Sequence, residues 1–323
     1  MIANSGEYRK KNGQRGYVMM NNFIFENKTK VYFGKGGVKE YLGGLLANFG
    51  ETVMLAYGGG SIKCNGVYDE IMGILNAQGK CVVEFSGIMS NPTYAKVQDG
   101  AKLAHENHVD LILAVGGGSV SDCCKVISGA FDTLSHAMET YFGKPDENNL
   151  SDDINEAVMR SVIRNIRVLL TDPENYDARS ELAWASAMTE NGVLKIGKVT
   201  DFQAHQIEHQ LGAYTNCNHG AGLAVIHPVL YRHIYKSGAA RFARWAQNVW
   251  GIAPNGSEEE TAAAGIDALA AFIKEIGLPT SFAELGIPAD TDFRAVADST
   301  NVTAGCCKKL THDEIYEILQ ECL

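Results

Sequence analysis

The sequence predicts an α/β N-terminal domain with a parallel sheet, followed by an all-helical C-terminal domain. Up to residue 128, short β-rich runs alternate with helical stretches, and two of these runs end in the tetrapeptide Gly-Gly-Gly-Ser. From residue 129 onward the β pattern disappears and helical segments follow one another. Strands that alternate with helices at this spacing form βαβ units and hence a parallel sheet. We therefore expect a disordered extension over 1–19, an α/β domain over 20–128 and a helical domain over 129–323.

The individual elements follow from hydrophobic periodicity and from the residues that interrupt it. Predicted strands cover 29–33, 52–57, 80–85 and 111–115, with amphipathic helices at roughly 66–78 and 93–107. In the C-terminal domain, helices are predicted over 131–142, 152–170, 174–195, 201–213, 220–234, 239–250, 257–276 and 311–321.

Composition limits the classes of function. The chain has 323 residues and a formal net charge of -10, which argues against nucleic acid or an anionic membrane as a partner. Residues 1–19 are polar and contain no apolar core of a secretory signal. The eight cysteines include no Cys-x-x-Cys pair, as expected for reduced thiols in a cytoplasmic protein.

The two Gly-Gly-Gly-Ser turns are candidates for a nucleotide site. The residues concerned are Gly58, Gly59, Gly60 and Ser61 in the first turn, and Gly116, Gly117, Gly118 and Ser119 in the second. Glycines directly after a parallel strand let backbone N–H groups approach a phosphate, with a helix N-terminus behind them. One such turn also arises for conformational reasons alone, but two in one sheet favour a dinucleotide site.

A histidine cluster in the helical domain is a candidate metal site. His205 and His209 are four residues apart in a predicted helix, so both rings project from one face, and His219 opens the next helix. Asp132 and His136 repeat the same spacing in an earlier helix. A carboxylate combined with imidazoles is a ligand set suited to Zn²⁺ or Fe²⁺.

These motifs together resemble those of the iron-containing alcohol dehydrogenase family, and within it the NAD(P)H-dependent butanol dehydrogenase/aldehyde reductase branch. The matching motifs are Asp132-Thr-Leu-Ser-His136, His205-x3-His209-x9-His219-Gly, Asn91-Pro92 and the two Gly-Gly-Gly-Ser turns, the second followed by Asp122. The resemblance covers nearly everything after Met20. It implies a dehydroquinate synthase-like architecture, with catalysis in the cleft between the two domains.

The resemblance also implies roles for particular residues. The implied metal ligands are Asp132, His136, His205 and His219, while His209 faces the nicotinamide and the substrate. The first glycine turn, Asn91, the second turn and Asp122 are implied to contact the cofactor. The implied cofactors are Fe²⁺, with Zn²⁺ as an alternative, and NAD(P)H. Because the first turn contains no acidic residue, we favour tolerance of NADPH. The implied substrate is a small aliphatic alcohol or aldehyde, and we expect a homodimer.

The chain departs from the family pattern between its two halves. In the family a long segment separates the second glycine turn from the metal-binding helix, whereas here Asp122 and Asp132 are only ten residues apart. We therefore expect a truncated sheet with an exposed edge, and an incomplete cofactor site. This predicts a family member with weak activity or, alternatively, a catalytically inactive metal-binding remnant.

One rival interpretation belongs to another reaction class. Residues 205–209 read His-x-x-Glu-His, the inverted zincin pattern, in which both histidines bind zinc and Glu208 acts as the base of a peptidase. This interpretation leaves Asp132, His136 and the glycine turns unexplained.

Overall fold

A computed structural model describes residues 24–27, 29–88, 94–116, 123–146, 148–254, 256–302 and 307–323. The predicted extension over 1–19 lies outside the described residues, as do Asn91, Gly117, Gly118, Ser119 and Asp122.

The described residues of the N-terminal part form a three-stranded parallel sheet and four helices. The strands are β1 (Thr52–Tyr57), β2 (Cys81–Phe85) and β3 (Leu111–Val115), in the order β2-β1-β3. Register pairs Val53 of β1 with Val82 of β2 and with Leu111 of β3. The helices are α1 (Gly37–Leu46), α2 (Ser61–Cys64), α3 (Val67–Ala77) and α4 (Tyr94–Glu106). The predicted α/β class and three of its four predicted strands are confirmed.

The sheet is small and its outer strand is open. The central strand β1 is buried along nearly its whole length, whereas residues of β3 alternate between partly buried and exposed. Ile112 of β3 is 59% exposed, and no described strand pairs with the far edge of β3. Parallel sheets are normally covered on both faces. The exposed residues of β3, and its edge without a described partner strand, agree with the truncated sheet expected from the short connection between Asp122 and Asp132.

The predicted strand over 29–33 is wrong. The described residues there form no strand, and Val31 and Phe33 are more than half exposed. A strand is stable only with a partner to share its backbone hydrogen bonds. The centroid of the Phe33 ring instead lies 6.3 Å from that of Trp184 in the helical part, so part of its apolar surface packs against that ring.

The C-terminal part is helical in all its described regular structure except an isolated bridge between Lys144 and Val199. Its helices are α5 (Cys123–Tyr141), α6 (Leu150–Thr171), α7 (Tyr176–Glu190), α8 (Gln203–Thr215), α9 (His219–Ile234), α10 (Ala239–Trp250), α11 (Glu258–Glu275), α12 (Phe293–Ser299) and α13 (His312–Glu321), with 3-10 turns at Val193–Lys195 and Tyr235–Gly238. Among the described residues, no helix combines the length and the apolar composition needed to cross a bilayer.

Helix α5 is the central helix of this part. Phe131, Leu134, Met138 and Tyr141 are fully buried along its length, and it packs against α6, α7 and α9. It begins at Cys123, well before the helix predicted from 131, and continues through the domain boundary predicted at 128/129. The boundary itself stays a prediction.

A buried ionic cluster fastens the C-terminal end of α5 to its neighbours. The Asp152 carboxylate, at the start of α6, is fully buried and pairs with Lys198 and Arg241. Both cations also donate to the backbone carbonyl of Tyr141, at 3.0 Å from Lys198 and 2.6 Å from Arg241. Removal of one member of such a buried cluster leaves an uncompensated charge away from water.

We therefore expect Asp152→Asn to destabilise the protein by about 3–5 kcal/mol, because two buried cations lose their anion. Urea unfolding followed by circular dichroism measures this. The matched control is Asp153→Asn, one residue along, whose largely exposed pair with Arg244 is worth at most about 1 kcal/mol. Equal losses for the two variants would contradict the assignment of a special role to the buried cluster.

Candidate metal centre and cofactor turn

Four side chains from three helices converge on one point. Asp132 and His136 lie on α5, His205 on α8, and His219 is the first residue of α9. Asp132 Oδ1 is 3.6 Å from His136 Nε2, 3.3 Å from His205 Nε2 and 3.4 Å from His219 Nε2. The Nε2 atoms of His136 and His205 are 3.1 Å apart. The structure thus brings together all four residues named as metal ligands from the sequence.

The chemistry and spacing of these atoms suit a divalent metal ion. Asp132, His205 and His219 each offer a donor atom, all within 4.8 Å of one another. Donors of one tetrahedral ion, at bonds of about 2.1 Å, lie about 3.4 Å apart. Asp132 Oδ1 is also a buried oxygen without a hydrogen-bond partner, although most buried polar atoms have one. An ion bound between the four side chains would satisfy it.

Two further carboxylates fix the orientation of two of the imidazoles. His205 Nδ1 hydrogen-bonds to Glu139 of α5, and His219 Nδ1 hydrogen-bonds to Glu208 of α8. Both carboxylates are almost completely buried. Because each holds the Nδ1 side of its ring, each turns Nε2 toward Asp132. This is the arrangement in which outer carboxylates orient metal-binding histidines and raise their basicity.

The electrostatics of the cluster favour a bound cation. Burial alone would raise the pKa of Asp132, but its contacts with His205 and His219 lower it below its usual range. Burial would lower the pKa of His205, yet Glu139 and Asp132 raise it to about 9. Against the same effect of burial, Asp132 and Glu208 raise the pKa of His219 to about 10. A metal ion that binds here takes the place of protons on these imidazoles.

The start of α8 depends on Glu139. Phe202, which precedes α8, has a left-handed φ of 54° and provides no side-chain cap. Instead, the Glu139 carboxylate accepts hydrogen bonds from the backbone N–H groups of Ala204, at 2.6 Å, and His205, at 3.3 Å. A carboxylate is favourable at a helix N-terminus, where backbone N–H groups lack partners. Glu139 therefore fixes both the backbone and the ring of His205.

The start of α9 depends on a close approach to α5. The Asn218 side chain caps α9 by accepting from the backbone of Ala221 at 3.0 Å, and the Ser128 hydroxyl donates to the same Asn218 oxygen at 2.5 Å. A Cβ atom on Gly220 would lie only 2.2 Å from the backbone oxygen of Ser128. The glycine directly after His219 is therefore needed for the contact between the two helices that aligns His219.

His209 lies beside the cluster on its exposed side. Its ring stacks on that of His219 with 5.3 Å between centroids, and its centroid is 5.9 Å from that of His205. Glu208, His209 and His219 also have donor atoms within 4.8 Å of one another. However, Glu208 is nearly inaccessible to solvent and its carboxylate is hydrogen-bonded to His219, which does not suit the general base of a peptidase.

The first glycine turn joins the end of β1 to the start of α2. Gly60 has a left-handed φ of 111°, and α2 begins directly after it at Ser61. A Cβ on Gly58 would lie 3.2 Å from the backbone oxygen of Ile88. Nearby, Glu84 near the end of β2 accepts hydrogen bonds from the hydroxyls of Tyr57, at 2.5 Å, and Tyr68, at 2.6 Å. Of the second turn, Gly116 is described and follows β3 directly.

Two residues near the cluster were not recognised in the sequence. Glu139 is three residues after His136 and seven after Asp132, so the helical period places it on the same face of α5, and this spacing was available as a signal. Glu190, the last residue of α7, has its Oε1 3.0 Å from His136 Nε2. No spacing relates Glu190 to the other donors.

Family models match both halves of the chain. Residues 28–157 match the model described as iron-containing alcohol dehydrogenase, and residues 126–323 match the model of the C-terminal region of the same family. The chain belongs to the iron-containing alcohol dehydrogenase family. The family expected from the motifs is therefore confirmed.

Curated relatives and solved structures agree with this assignment. NADH-dependent butanol dehydrogenase A of Clostridium acetobutylicum is 28% identical, with 94% of this chain and 100% of the relative covered. The NADPH-dependent aldehyde reductase YqhD of Escherichia coli is 26% identical over 83% of this chain and 90% of that protein. The crystal structure of NADH-dependent butanol dehydrogenase A from Thermotoga maritima superposes with a TM-score of 0.87 at 26% identity, covering 94% of this chain and 99% of the other.

The comparison with the Clostridium enzyme also shows a difference in length. That alignment runs over 389 positions, whereas this chain has 323 residues, so at least 66 positions of the alignment have no residue of this chain. Together with the open edge of β3, this agrees with the shortened connection noted between Asp122 and Asp132.

We expect Glu139→Gln to weaken binding of Zn²⁺ or Co²⁺ by roughly 10–100-fold, because His205 loses its negatively charged partner. Competition with a chromophoric chelator measures the dissociation constant. Glu181→Gln, at an exposed position of α7, is the control and should leave the constant unchanged. Unaltered metal affinity in Glu139→Gln would mean that His205 does not depend on this carboxylate.

We also expect Gly220→Ala to weaken metal binding, because the added methyl group pushes the start of α9, with His219, away from α5. Gly129→Ala on α5 is the matched control, since a Cβ there meets nothing within 4 Å. The same chelator competition, combined with circular dichroism to monitor folding, separates the two variants. If both glycines tolerate alanine equally, the close approach does not align His219.

Proposed function

We propose that this protein is a metal-dependent alcohol dehydrogenase/aldehyde reductase. It transfers a hydride between NAD(P)H and a small aliphatic aldehyde or primary alcohol such as butanol. The observation that carries the proposal is the convergence of Asp132 Oδ1 with the Nε2 atoms of His136, His205 and His219. Membership of a family whose relatives are named butanol dehydrogenases and aldehyde reductases supports the reaction class.

In this proposal Asp132, His136, His205 and His219 hold Fe²⁺, and the same donor set also suits Zn²⁺. When bound, the ion supplies a Lewis acid for the oxygen of the alcohol or aldehyde. Glu139 and Glu208 hold the imidazoles in orientation from behind. The ring of Phe202 lies 5.3 Å from that of His136 and 5.0 Å from that of His205, and shields one side of the cluster from water.

His209 is proposed to exchange the reacting proton with solvent. It is on the exposed side of the cluster and stacks on His219. Partial burial, together with the neighbouring His219 and His205, lowers its pKa, so that the neutral ring is the main form near neutral pH. A neutral imidazole accepts a proton from an alcohol and, once protonated, returns it to water or to the product of aldehyde reduction.

The cofactor is proposed to lie along the carboxyl edge of the sheet, where ligands of parallel sheets bind. Its contacts are proposed to be Gly58, Gly59, Gly60, Ser61, Asn91, Gly116, Gly117, Gly118, Ser119 and Asp122. No carboxylate occurs within residues 58–61, and the nearby Glu84 is already hydrogen-bonded to two tyrosines. This arrangement leaves room for a 2′-phosphate, so we propose that NADPH is accepted as well as NADH.

We further propose that turnover is slower than in full-length relatives. The support is the three-stranded described sheet and the alignment positions that this chain lacks. The same observations favour the second candidate, a metal-binding protein in which hydride transfer has been lost. The four proposed metal ligands are common to both candidates.

Oxidation of NADH and NADPH in the presence of butyraldehyde tests the proposal, with Fe²⁺ or Zn²⁺ added to the purified metal-free chain. We expect metal-dependent loss of cofactor absorbance. Asp132→Asn should weaken metal binding by more than about 100-fold, since even outer partners of metal ligands are worth roughly 10–100-fold. His209→Ala should keep the metal but lower kcat by about 10²–10⁴-fold if it transfers the proton.

The outcomes separate the candidates. Metal binding that requires Asp132, with no turnover of any aldehyde or alcohol, would favour the inactive protein. Turnover equal to that of the Clostridium butanol dehydrogenase in the same assay would contradict the proposed impairment. The homodimer and the cytoplasmic location expected from the sequence stay predictions, and analytical ultracentrifugation of the purified chain tests the first.

A further inference from the structure

Glu190 places a carboxylate beside His136, one of the four residues of the metal cluster, from a different helix. It is the last residue of α7, whereas the other four donors come from α5, α8 and α9. Its Oε1 atom is 3.0 Å from His136 Nε2, the ring nitrogen that also faces Asp132 and His205. The Glu190 side chain is 55% exposed, so it approaches the cluster from the solvent side.

An ordinary hydrogen bond between Glu190 and His136 is compatible with this distance only while Nε2 carries a proton. In the proposed function that nitrogen binds the metal ion and has no proton to donate. A carboxylate oxygen at 3.0 Å from Nε2 is then close enough to bind the same ion as the imidazole. Iron(II) sites in proteins commonly hold more than four donors and keep exchangeable positions.

The position of Glu190 in its helix is otherwise unfavourable. The C-terminal end of a helix carries a partial negative charge, so an acidic residue in the last turn of α7 is repelled by its own helix. A cation at the cluster offsets that repulsion. The ordinary structural preference at this position would be for a neutral or basic side chain.

Glu190 is also less restrained than the neighbouring donors. His205 and His219 are each held by a buried carboxylate, and Asp132 and His136 belong to the buried helix α5. Among the described residues, its ion pair is with His136. A half-exposed side chain held by one ion pair moves away at less cost than the four inner donors.

We propose that Glu190 is a displaceable fifth metal donor, which binds the ion in the absence of substrate and leaves when the oxygen of the alcohol or aldehyde arrives. The inference rests on the metal site of the proposed function. One coordination bond, to the carboxylate, breaks as another, to the substrate oxygen, forms, and the released carboxylate returns to water. Glu190 thereby protects the open position from adventitious ligands and raises the concentration of substrate needed to occupy it.

Cobalt substitution tests this without requiring turnover. Co²⁺-loaded wild-type protein, Glu190→Ala and Glu190→Gln are compared by visible absorption during titration with azide, a small anion that binds at open metal positions. Loss of the fifth donor should weaken Co²⁺ binding by about tenfold in chelator competition. It should at the same time tighten azide binding by about tenfold, because azide no longer displaces a carboxylate. Glutamine is a weaker donor than glutamate, so both constants of Glu190→Gln should lie between those of the wild-type protein and those of Glu190→Ala. Glu181→Ala on the same helix is the control and should change neither constant.

The opposite signs of the two effects are the distinguishing result. Unchanged constants in Glu190→Ala overturn the proposal, and so does weaker binding of both Co²⁺ and azide, which would indicate a merely structural role. Asp132→Asn separates this result from the proposed function itself. If Asp132→Asn leaves Co²⁺ binding intact, the metal site is wrong. If it abolishes Co²⁺ binding while Glu190→Ala changes nothing, only the role of Glu190 is wrong.

Discussion

The buried oxygen of Asp132, surrounded by three imidazole nitrogens, is the constraint on which the arrangement of the helical part depends. A carboxylate and three largely buried histidines can be packed together only if their charges and hydrogen bonds are balanced. Glu139 and Glu208 provide part of that balance by binding the far sides of two rings. A divalent cation would provide the rest. The same side chains therefore serve both the packing of the helices and the proposed binding of the metal ion.

This constraint explains several features of the surrounding helices. Helix α5 carries Asp132, His136 and Glu139 on one face, and its other faces are filled by side chains such as Phe131 and Met138. Helix α8 starts on the Glu139 carboxylate, and α9 approaches α5 closely enough that only glycine fits at 220. The ionic cluster around Asp152 fastens the C-terminal end of α5, so the helix that carries half of the donors is held at both ends.

The N-terminal part has a much smaller hydrophobic core than the helical part. Its core is a small cluster around β1 and α3, separate from the large helical core, and β3 leaves an edge and Ile112 exposed. The segment predicted to be missing between Asp122 and Asp132 would belong to the sheet side, so its loss would leave the helical core intact. In the proposed function, metal binding rests on the helical core and cofactor binding on the sheet, so metal binding can persist when hydride transfer is weakened. This is the physical reason for keeping an inactive metal-binding protein as the second candidate.

The sequence by itself determined the fold class, and its resemblance to a known family named the four residues that converge at the metal cluster. The spacings within the motifs that carry this resemblance are local. Asp132 with His136, and His205 with His209, follow from the helical period, and the glycine turns follow from strand ends. It misjudged residues 29–33, since an isolated β-rich run does not reveal whether a partner strand exists beside it. It also treated Glu208 only as the base of a rival mechanism. Only the tertiary structure decided that Glu208 orients His219, that Glu139 caps α8 and that Glu190 reaches His136 from α7. These contacts join helices distant in the chain, and packing rather than any local pattern brings them together.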